Sequence, residues 1–298
     1  MHNDNQAGNG RNGGTMVSFR AQDMFSLSGR RALVTGASRG IAAAIAEAFA
    51  ANGAEVGINY SARADREAGL GNAADELLER IAAAGGKAKL LEQDMLEKDG
   101  AQDLARQMDE QFGGCDILVA SASLQVHRNF LDMPLEDTMR QIQLNLLTTI
   151  GLLQSLLPGM KNRRYGRVLT LGSVQETAPS PEMPIYAATK AAQTSLVKSL
   201  AVELAPYGVT LNNLAPGLVQ TDRNAFRRLN PQQWADIARS ANPMGRAGLP
   251  ADMIGAALYL CSDAAAFVTG STLFVTGGAH IPQPGYDTTL PPASQAAS

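Results

Sequence analysis

The chain has 298 residues, 45% of them hydrophobic and 18% charged, so it is long enough and apolar enough to bury a sizeable core. Its 25 Lys and Arg residues against 28 Asp and Glu residues give a net charge of −3, which excludes the strong positive field of a protein that binds nucleic acid or an anionic membrane. Two cysteines, Cys115 and Cys261, exclude a disulfide framework, and three scattered histidines predict no metal site.

The two ends of the chain differ in composition from its middle. The start, MHNDNQAGNGRNGGT, is rich in Asn and Gly and lacks the apolar segment of a signal peptide, and no run approaches the roughly 18 apolar residues that span a membrane. These features predict a cytoplasmic protein with a disordered tail at 1–27, where Met16 is a second candidate start, and a flexible tail at 282–298. Residues 28–281 contain no internal repeat or linker and are predicted to form one domain.

Short apolar runs alternate with longer helical patterns through this domain. Unbroken apolar centres predict strands that are covered on both faces, and apolar spacings of three and four predict helices, including one whose stripe runs from Leu135 to Leu157. Strict alternation is typical of an α/β fold with a doubly wound, Rossmann-type parallel sheet, here of seven strands. The predicted strands lie at 31–36, 54–60, 86–92, 115–120, 166–173, 208–216 and 272–277, and the predicted helices at 39–51, 66–84, 98–112, 135–161, 184–206 and, as a pair, near 231–262.

A glycine loop joins the first predicted strand to the first predicted helix. Gly36 and Gly40 allow a tight turn and let the backbone approach a pyrophosphate closely. The amides and dipole of the helix that follows would stabilise the charge of that group. A glycine pair after a strand also occurs as a plain turn, and the loop alone leaves that alternative open. Its position in the first βαβ unit favours dinucleotide binding.

A second pattern places a phenol and an amine on one helix face. Tyr186 and Lys190 are four residues apart, and a positive neighbour predicts a pKa of Tyr186 below its usual value of about 10. Such a phenol can donate and accept protons nearer neutrality. The same spacing occurs by chance on solvated helix faces. Ser173 changes the balance, because it ends a predicted strand upstream, where doubly wound folds place their sites.

These motifs occur together with Asn145 and with the segment Pro216–Thr221, which reads PGLVQT. In this order and spacing they resemble the short-chain dehydrogenase/reductase family, from about residue 28 to 279. The likeness is to its compact members, which include 3-oxoacyl carrier-protein reductases and sugar or polyol dehydrogenases. The resemblance implies an oxidoreductase that transfers a hydride between a nicotinamide cofactor and a carbonyl or secondary alcohol.

The resemblance also implies a role for each residue of the catalytic set. Tyr186 would be the general acid/base, and Lys190 would hold the nicotinamide ribose and lower the pKa of Tyr186. Ser173 would form a hydrogen bond with the reacting oxygen. Asn145 would support a water that links Lys190 to solvent as a proton relay. The chemistry needs a tunable proton donor, a charge that tunes it and a group that orients the substrate.

The cofactor is predicted to be NADP(H) rather than NAD(H). The second predicted strand ends INYSAR, with no acid to bind the free ribose 2′-hydroxyl of NAD. Arg39, with Ser61 or Arg63, would instead bind a 2′-phosphate, although solvated positions are the alternative for both arginines. The predicted cofactor-binding residues are Gly36, Ser38, Arg39, Gly40, Ile41, Tyr60, Ser61, Arg63, Asp94, Met95, Ser121, Ala122, Ser123, Tyr186, Lys190, Pro216, Gly217, Val219 and Thr221.

Two departures from the family pattern support an alternative function. Ala42 stands where the family usually has a further glycine, and Ala120–Ser123 stand where it has Asn-Asn-Ala-Gly, whose amides line the cofactor floor. A non-catalytic dinucleotide-binding sensor or scaffold is the alternative that these departures favour. The complete catalytic set favours an enzyme, because a sensor does not need it.

The predicted substrate pocket admits two substrate classes. Ser173, Gln125, Gln175 and Tyr186 are the predicted substrate-binding residues. A polar set suits a sugar or polyol, whereas an apolar set suits an apolar substrate. The polar set is Gln125, Gln175, Glu176 and Gln220, and the apolar set is Met183, Leu218, Phe226 and Trp234; His127 is either a pocket donor or a solvated loop residue. The resemblance further implies a homotetramer, or a dimer, that pairs the two long helices at 135–161 and 184–206.

Overall fold

Seven strands form one all-parallel sheet in the order β3-β2-β1-β4-β5-β6-β7. The structure is a computed structural model that describes residues 20–282. All seven predicted strands are present, which confirms the predicted α/β, Rossmann-type fold class. The strands are β1 Arg31–Val34, β2 Glu55–Tyr60, β3 Lys87–Glu92, β4 Ile117–Ala120, β5 Gly166–Leu171, β6 Val209–Pro216 and β7 Thr272–Val275.

Helices cover both faces of the sheet and create two apolar cores. Successive strand residues point to opposite faces, so Ala32 and Val34 of β1 pack in one core and Leu33 packs in the other. The first core contains α2, α4 and α10, and the second contains α5, α7 and α8. The helices are α1 Ala21–Met24, α2 Gly40–Ala51, α3 Ala62–Glu67, α4 Ala73–Ala83, α5 Gly100–Phe112, α6 Leu135–Ile142, α7 Thr148–Arg163, α8 Pro184–Leu204, α9 Pro231–Ser240 and α10 Ile254–Cys261.

The helix predicted over 66–84 is in fact two helices, α3 and α4. α3 begins early because the hydroxyl of Ser61 caps it, accepting a hydrogen bond of 3.2 Å from the amide of Ala64. Gly69 then adopts a left-handed conformation, with φ of +71°, and breaks the helical path. The apolar periodicity continues across the break, which explains the error.

The helix predicted over 135–161 is interrupted by a π turn, Gln143–Leu147. The extra residue in a π turn rotates the helix that follows about its own axis relative to the one before. Leu135 is therefore 74% exposed, whereas Leu153 and Leu157 are buried in the second core. The prediction of one continuous apolar stripe along this helix is wrong for that reason.

The fold begins before the predicted boundary at residue 28. The side chain of Leu27 is completely buried in the first core, and its amide donates to the carbonyl of Asn52 at 2.9 Å. Part of the predicted N-terminal tail is thus structured. Residues 1–19 and 283–298, which carry the rest of the two predicted tails, lie outside the described residues.

The strand order places a crevice at the carboxyl edge of the sheet. From β1 the chain moves outward through β2 and β3, then returns to pair β4 with the opposite side of β1. The loops after β1 and β4 therefore diverge, which is where open α/β sheets bind ligands. Within residues 20–282, no helix combines the length and hydropathy needed to cross a bilayer.

Candidate active site

The glycine loop after β1 brings backbone amides close to the crevice. Gly36 and Gly40 have φ of +61° and +64°, a backbone conformation that residues other than glycine rarely adopt. A Cβ on Gly36 would lie 3.0 Å from the Cα of Ala122, so the two loops meet at backbone distance. No side chain caps the N-terminus of α2, and the first amides of a helix have no partner within it. The loop is thus suited to hold an anion.

Hydrogen bonds from two polar residues hold the strand ends in place beside this loop. The hydroxyl of Thr35 accepts from the amides of Ser121 at 2.9 Å and Ala122 at 3.0 Å, which joins β1 to β4. The Asn59 carboxamide accepts from the amide of Gly36 at 3.2 Å and donates to the carbonyl of Leu91, also at 3.2 Å. The Thr35 bonds hold the segment Ala120–Ser123, which stands where the family pattern has Asn-Asn-Ala-Gly. Asn59, on β2, bonds instead to the loop after β1 and to β3. Sequence analysis missed both residues, although a polar side chain at the end of an apolar strand is a usable signal.

Replacement of Thr35 by Val is expected to lower the free energy of unfolding by about 1–3 kcal/mol, because it leaves the two amides of the 121–122 segment without their acceptor. Urea denaturation of the protein without cofactor measures this loss. Thr35→Ser, which keeps the hydroxyl, is the matched control. Equal stability of the Val and Ser variants would contradict the bridging role.

Three residues of the predicted catalytic set, Ser173, Tyr186 and Lys190, lie together. Ser173 follows β5, and Tyr186 and Lys190 lie on the first turns of α8. All three are buried, Lys190 to 2% exposure. The Tyr186 phenol lies beside Ser173, which lowers its pKa, and its ring centroid lies 5.7 Å from the Lys190 amine nitrogen. The hydroxyl of Ser173 also accepts from the amide of Gln175 at 3.2 Å, which sets its orientation.

The prediction that the pKa of Tyr186 falls below its usual value is wrong for this structure. Burial raises the pKa of Tyr186, and the charge of Arg223 and the hydrogen bond from Ser173 only oppose that rise. Burial, together with the smaller effect of the Arg223 charge, lowers the pKa of Lys190 to about 7 against the opposing effect of Glu176. A buried amine with that pKa is not a fixed positive charge at neutral pH. The spacing of the pair along the helix therefore says little about their protonation.

Asn145 lies in the π turn and does not line the crevice. Its carboxamide accepts from the amide of Leu124 at 2.7 Å and donates to Thr189 at 3.1 Å. The structure connects it to Lys190 through Gln193, a residue that sequence analysis missed. The Lys190 amine donates to the side-chain oxygen of Gln193 at 3.3 Å, and the Gln193 amide donates to the Asn145 carbonyl at 3.3 Å. The relay role of Asn145 stays a prediction.

One cleft of about 760 Å³ connects the glycine loop with Ser173, Tyr186 and Lys190. Every residue predicted to bind the cofactor lines it, as do Gln125, Gln175 and His127. Both substrate-pocket sets are only partly present: Met183, Leu218 and Phe226 line the cleft, whereas Glu176, Gln220 and Trp234 do not.

Glu176 serves the loop rather than the predicted polar pocket. Its carboxylate accepts from the amide of Ser173 at 3.3 Å, from the hydroxyl of Thr194 at 2.9 Å and from the carboxamide of Asn213 at 3.0 Å. These bonds turn the side chain away from the cleft, under the backbone of Gly172. Glu176 therefore positions Ser173.

Carboxylates accompany the two arginines at the β2 end of the cleft. Arg39 pairs with Asp65 at 2.5 Å, and Arg63 pairs with Asp94 at 2.6 Å. Burial raises the pKa of Asp94, but hydrogen bonds from the Leu96 amide and Arg63 outweigh it and keep that pKa below its usual value. Sequence analysis did not foresee Asp65, because it lies within the break between predicted elements.

No group of three or more His, Cys, Asp and Glu side chains is placed for a metal ion in the part of the chain described.

Residues 36–280 match the family described as enoyl-(acyl carrier protein) reductase. The chain is 36% identical over 253 residues to 3beta-hydroxysteroid dehydrogenase 1 of Eggerthella lenta, covering 85% of this chain and 94% of that protein. It is 36% identical over 250 residues to the L-rhamnose 1-dehydrogenase (NAD(P)(+)) of Azotobacter vinelandii, covering 84% and 96%. The chain belongs to the short-chain dehydrogenase/reductase family.

A solved structure of this family confirms the fold and extends the likeness. The crystal structure of a 3-oxoacyl (acyl-carrier-protein) reductase from Agrobacterium tumefaciens, with NADP bound, matches with a TM-score of 0.83 and 43% identity, over 89% of this chain and 99% of that one. This short-chain dehydrogenase/reductase is therefore an oxidoreductase. The names of its relatives refer to a steroid, a sugar and an acyl thioester, so membership of the family leaves the substrate open.

Arg223 adds a cation to the catalytic end of this dehydrogenase/reductase. It belongs to the helical segment Asp222–Arg228 that follows Thr221. Its guanidinium donates from Nη2 to the carbonyl and hydroxyl of Ser123, at 2.9 and 3.1 Å, and lies beside the Tyr186 phenol, whose pKa it lowers. Sequence analysis missed Arg223, because nothing in a polar segment with three arginines shows which one faces the cleft.

Proposed function

We propose that this enzyme reduces a carbonyl compound to a secondary alcohol, or catalyses the reverse, with NADP(H) as the hydride carrier. The observation that carries the proposal is that Ser173, Tyr186 and Lys190 meet at one end of the same cleft that holds the glycine loop. A non-catalytic sensor or scaffold would not need a buried, hydrogen-bonded Ser–Tyr pair. The binding of NADP in the crystal structure of the Agrobacterium relative supports the choice of cofactor.

The cleft fits a dinucleotide phosphate. The close approach at Gly36 and the uncapped N-terminus of α2 leave space and amide donors for a diphosphate. Arg39 and Arg63 lie where β2 ends, the side on which an adenosine ribose binds in doubly wound folds. Their guanidinium groups would share their hydrogen bonds between Asp65 or Asp94 and a 2′-phosphate.

The chain's own residues supply the acid/base chemistry. Bound NADPH supplies the hydride. The Tyr186 phenol donates its proton to the oxygen of the substrate carbonyl, and Ser173 orients that oxygen through a hydrogen bond. Lys190, with a pKa of about 7, is charged or neutral near physiological pH and can return a proton to Tyr186. The carbonyl of Leu171, at 2.5 Å, and the side-chain oxygen of Gln193, at 3.3 Å, hold the Lys190 amine in position.

Replacement of Arg39 by Gln is expected to raise the Kd for NADPH by about 10- to 100-fold, because one charge-assisted contact with the 2′-phosphate is lost. The Kd for NADH is expected to change much less. Nicotinamide fluorescence titrations measure both constants. Arg66→Gln, an exposed charge on α3, is the matched control. An equal rise in the Kd for NADPH and for NADH would show that Arg39 does not bind the 2′-phosphate.

A substrate panel tests the enzymatic function directly. The protein saturated with NADPH is mixed with simple ketones, keto-sugars, oxo acids and 3-oxoacyl thioesters, and absorbance of the reduced nicotinamide is followed. Oxidation of NADPH by any of these compounds is the expected result. Tight NADPH binding without turnover of any compound in this panel would favour the sensor or scaffold.

We also propose that the enzyme is a cytoplasmic homotetramer, with a dimer as the alternative. Exposed apolar side chains on α6 and α8 support association: Met139 is 54% exposed and Val202 is 79% exposed. Light scattering after size exclusion is expected to give about 125 kDa, for four chains of 31.3 kDa. A mass of one chain at micromolar concentration would contradict assembly.

A further inference from the structure

The arginines that line the cleft fall into two groups with different partners. At the β2 end, Arg39 and Arg63 are each paired with a carboxylate. At the catalytic end, Arg140, Arg223 and Arg227 also line the cleft, and no carboxylate of residues 20–282 lies within 4.0 Å of any of their guanidinium nitrogens. The catalytic end therefore carries positive charge that its own side chains do not neutralise.

Arg223 brings this charge to the reacting atoms. It bonds to Ser123, just after β4, and lies beside the phenol of Tyr186, the predicted proton donor, whose pKa it lowers. A guanidinium has five N–H donors, and the two hydrogen bonds with Ser123 use only Nη2. The planar guanidinium of Arg223 has free N–H donors next to the acid/base. This geometry suits bidentate binding of a carboxylate.

The pKa of His127 reflects the positive charge of the arginines around it. Burial lowers the pKa of His127, and the charges of Arg227 and Arg223 lower it further against the opposing effect of Glu182. His127 is therefore held toward its neutral form by nearby cations. Two acids are also present: Asp222 lines the cleft, and the exposed Glu182 lies 3.7 Å from His127. Neither pairs with Arg223.

We propose that the substrate carries a carboxylate within a few bonds of its reacting carbonyl and that Arg223 binds this carboxylate. The inference rests on the proposed function and names the substrate class of the same site. With the carbonyl oxygen bonded to Tyr186 and Ser173, a carboxylate on an adjacent or next-nearest carbon comes within reach of Arg223. An oxo acid or a keto-sugar acid has this chemistry. A neutral ketone leaves the Arg223 guanidinium without a counter-charge. The enzyme therefore discriminates against neutral ketones, because binding one leaves this charge unpaired.

The first test compares each acid with its neutral ester. Values of kcat/KM with NADPH are measured for a 2-oxo acid, a 3-oxo acid and the methyl ester of each. The enzyme is expected to prefer one acid over its ester by about 10- to 100-fold, the value of a charge-assisted pair. In Arg223→Met this acid-to-ester ratio is expected to fall at least tenfold, and Arg223→Lys is expected to restore part of it. An effect of the substitution on Tyr186 itself changes kcat/KM for the acid and for the ester equally, so it cancels in the acid-to-ester ratio.

The second test measures binding without turnover. Malonate and inorganic phosphate are titrated calorimetrically into the NADPH complex. Malonate is expected to bind more tightly than phosphate and to lose at least tenfold in affinity in Arg223→Met. Arg239→Gln, an exposed arginine of α9 paired with Asp236, removes the same charge elsewhere and is expected to change neither result.

Four results would overturn the inference. They are an acid-to-ester ratio near 1, a ratio unchanged in Arg223→Met, tighter binding of phosphate than of malonate, and a loss of NADPH affinity in Arg223→Met as large as the loss for malonate. The last would assign Arg223 to a cofactor phosphate.

Reduction of neutral ketones with a ratio near 1 would leave the proposed function intact. Arg223-dependent malonate binding without turnover of any carbonyl compound would instead contradict the proposed function and support the anion site.

Discussion

Replacement of Tyr186 by Phe is expected to lower kcat by about 10²- to 10⁴-fold while NADPH still binds. The substitution removes only the hydroxyl that would protonate the substrate oxygen. The buried ring, and with it the packing of α8 on the 173–176 loop, is retained. Ser173 remains to orient the carbonyl but cannot replace the proton donor, because its pKa is far too high for proton exchange near neutrality.

Steady-state rates and NADPH fluorescence titrations of the same preparation separate the two effects. Tyr207→Phe makes the same chemical change beside Lys161, at the amino edge of the sheet, and is expected to keep full activity. A Tyr186→Phe enzyme with more than about a tenth of the normal kcat would show that another group protonates the substrate. Arg223, which contacts the phenol, would then be the first residue to examine.

Replacement of Lys190 by Met is expected to abolish most activity and, at the same time, to stabilise the protein without cofactor. Loss of the amine removes the group that we propose returns a proton to Tyr186, and a fall in kcat of about 10²- to 10³-fold is expected. The amine is buried, so its ammonium form is held out of water in the folded state, and its pKa falls to about 7. Met fills a similar volume without that penalty. The melting temperature is expected to rise by about 2–4 °C for each kcal/mol recovered.

The pH dependence of stability tests the same residue. Between about pH 7 and pH 10.5 the unfolded chain keeps the Lys190 proton while the folded protein has lost it. The unfolded state thus binds more protons, and the contribution of Lys190 makes the free energy of unfolding rise with pH across this window. In Lys190→Met that contribution is absent.

Urea midpoints at pH 7 and pH 9.5 measure the difference between the two proteins, which cancels the titration of other groups. The wild-type protein is expected to gain stability relative to Lys190→Met as the pH rises. Lys198→Met, an exposed lysine on the same helix, is expected to follow the wild type. A constant difference between wild type and Lys190→Met would mean that the buried amine stays charged.

Patterns that follow from local geometry were predictable from the sequence. The seven strands were found because buried parallel strands are apolar without interruption, and this property does not depend on distant partners. The glycine loop was found because only glycine adopts the left-handed turns at Gly36 and Gly40 without strain. The family resemblance rests on residues whose order along the chain is itself the signal.

Features that depend on how elements meet were not predictable in this way. The π turn at Gln143–Leu147 and the division between α3 and α4 change which faces are buried without changing the apolar periodicity. Glu176 was placed in the substrate pocket because it follows Ser173, but its partners Thr194 and Asn213 come from α8 and β6.

The sequence by itself determined the fold class, the family, and the residues Ser173, Tyr186 and Lys190 as the candidate catalytic set. Only the tertiary structure decided how those groups are charged, since the pKa values of Tyr186 and Lys190 follow from burial rather than from their spacing. It also decided that Arg223, alone among the arginines of its segment, reaches Tyr186. Solvation and charge at a site depend on every element that packs around it, and a linear pattern records only the neighbours along the chain.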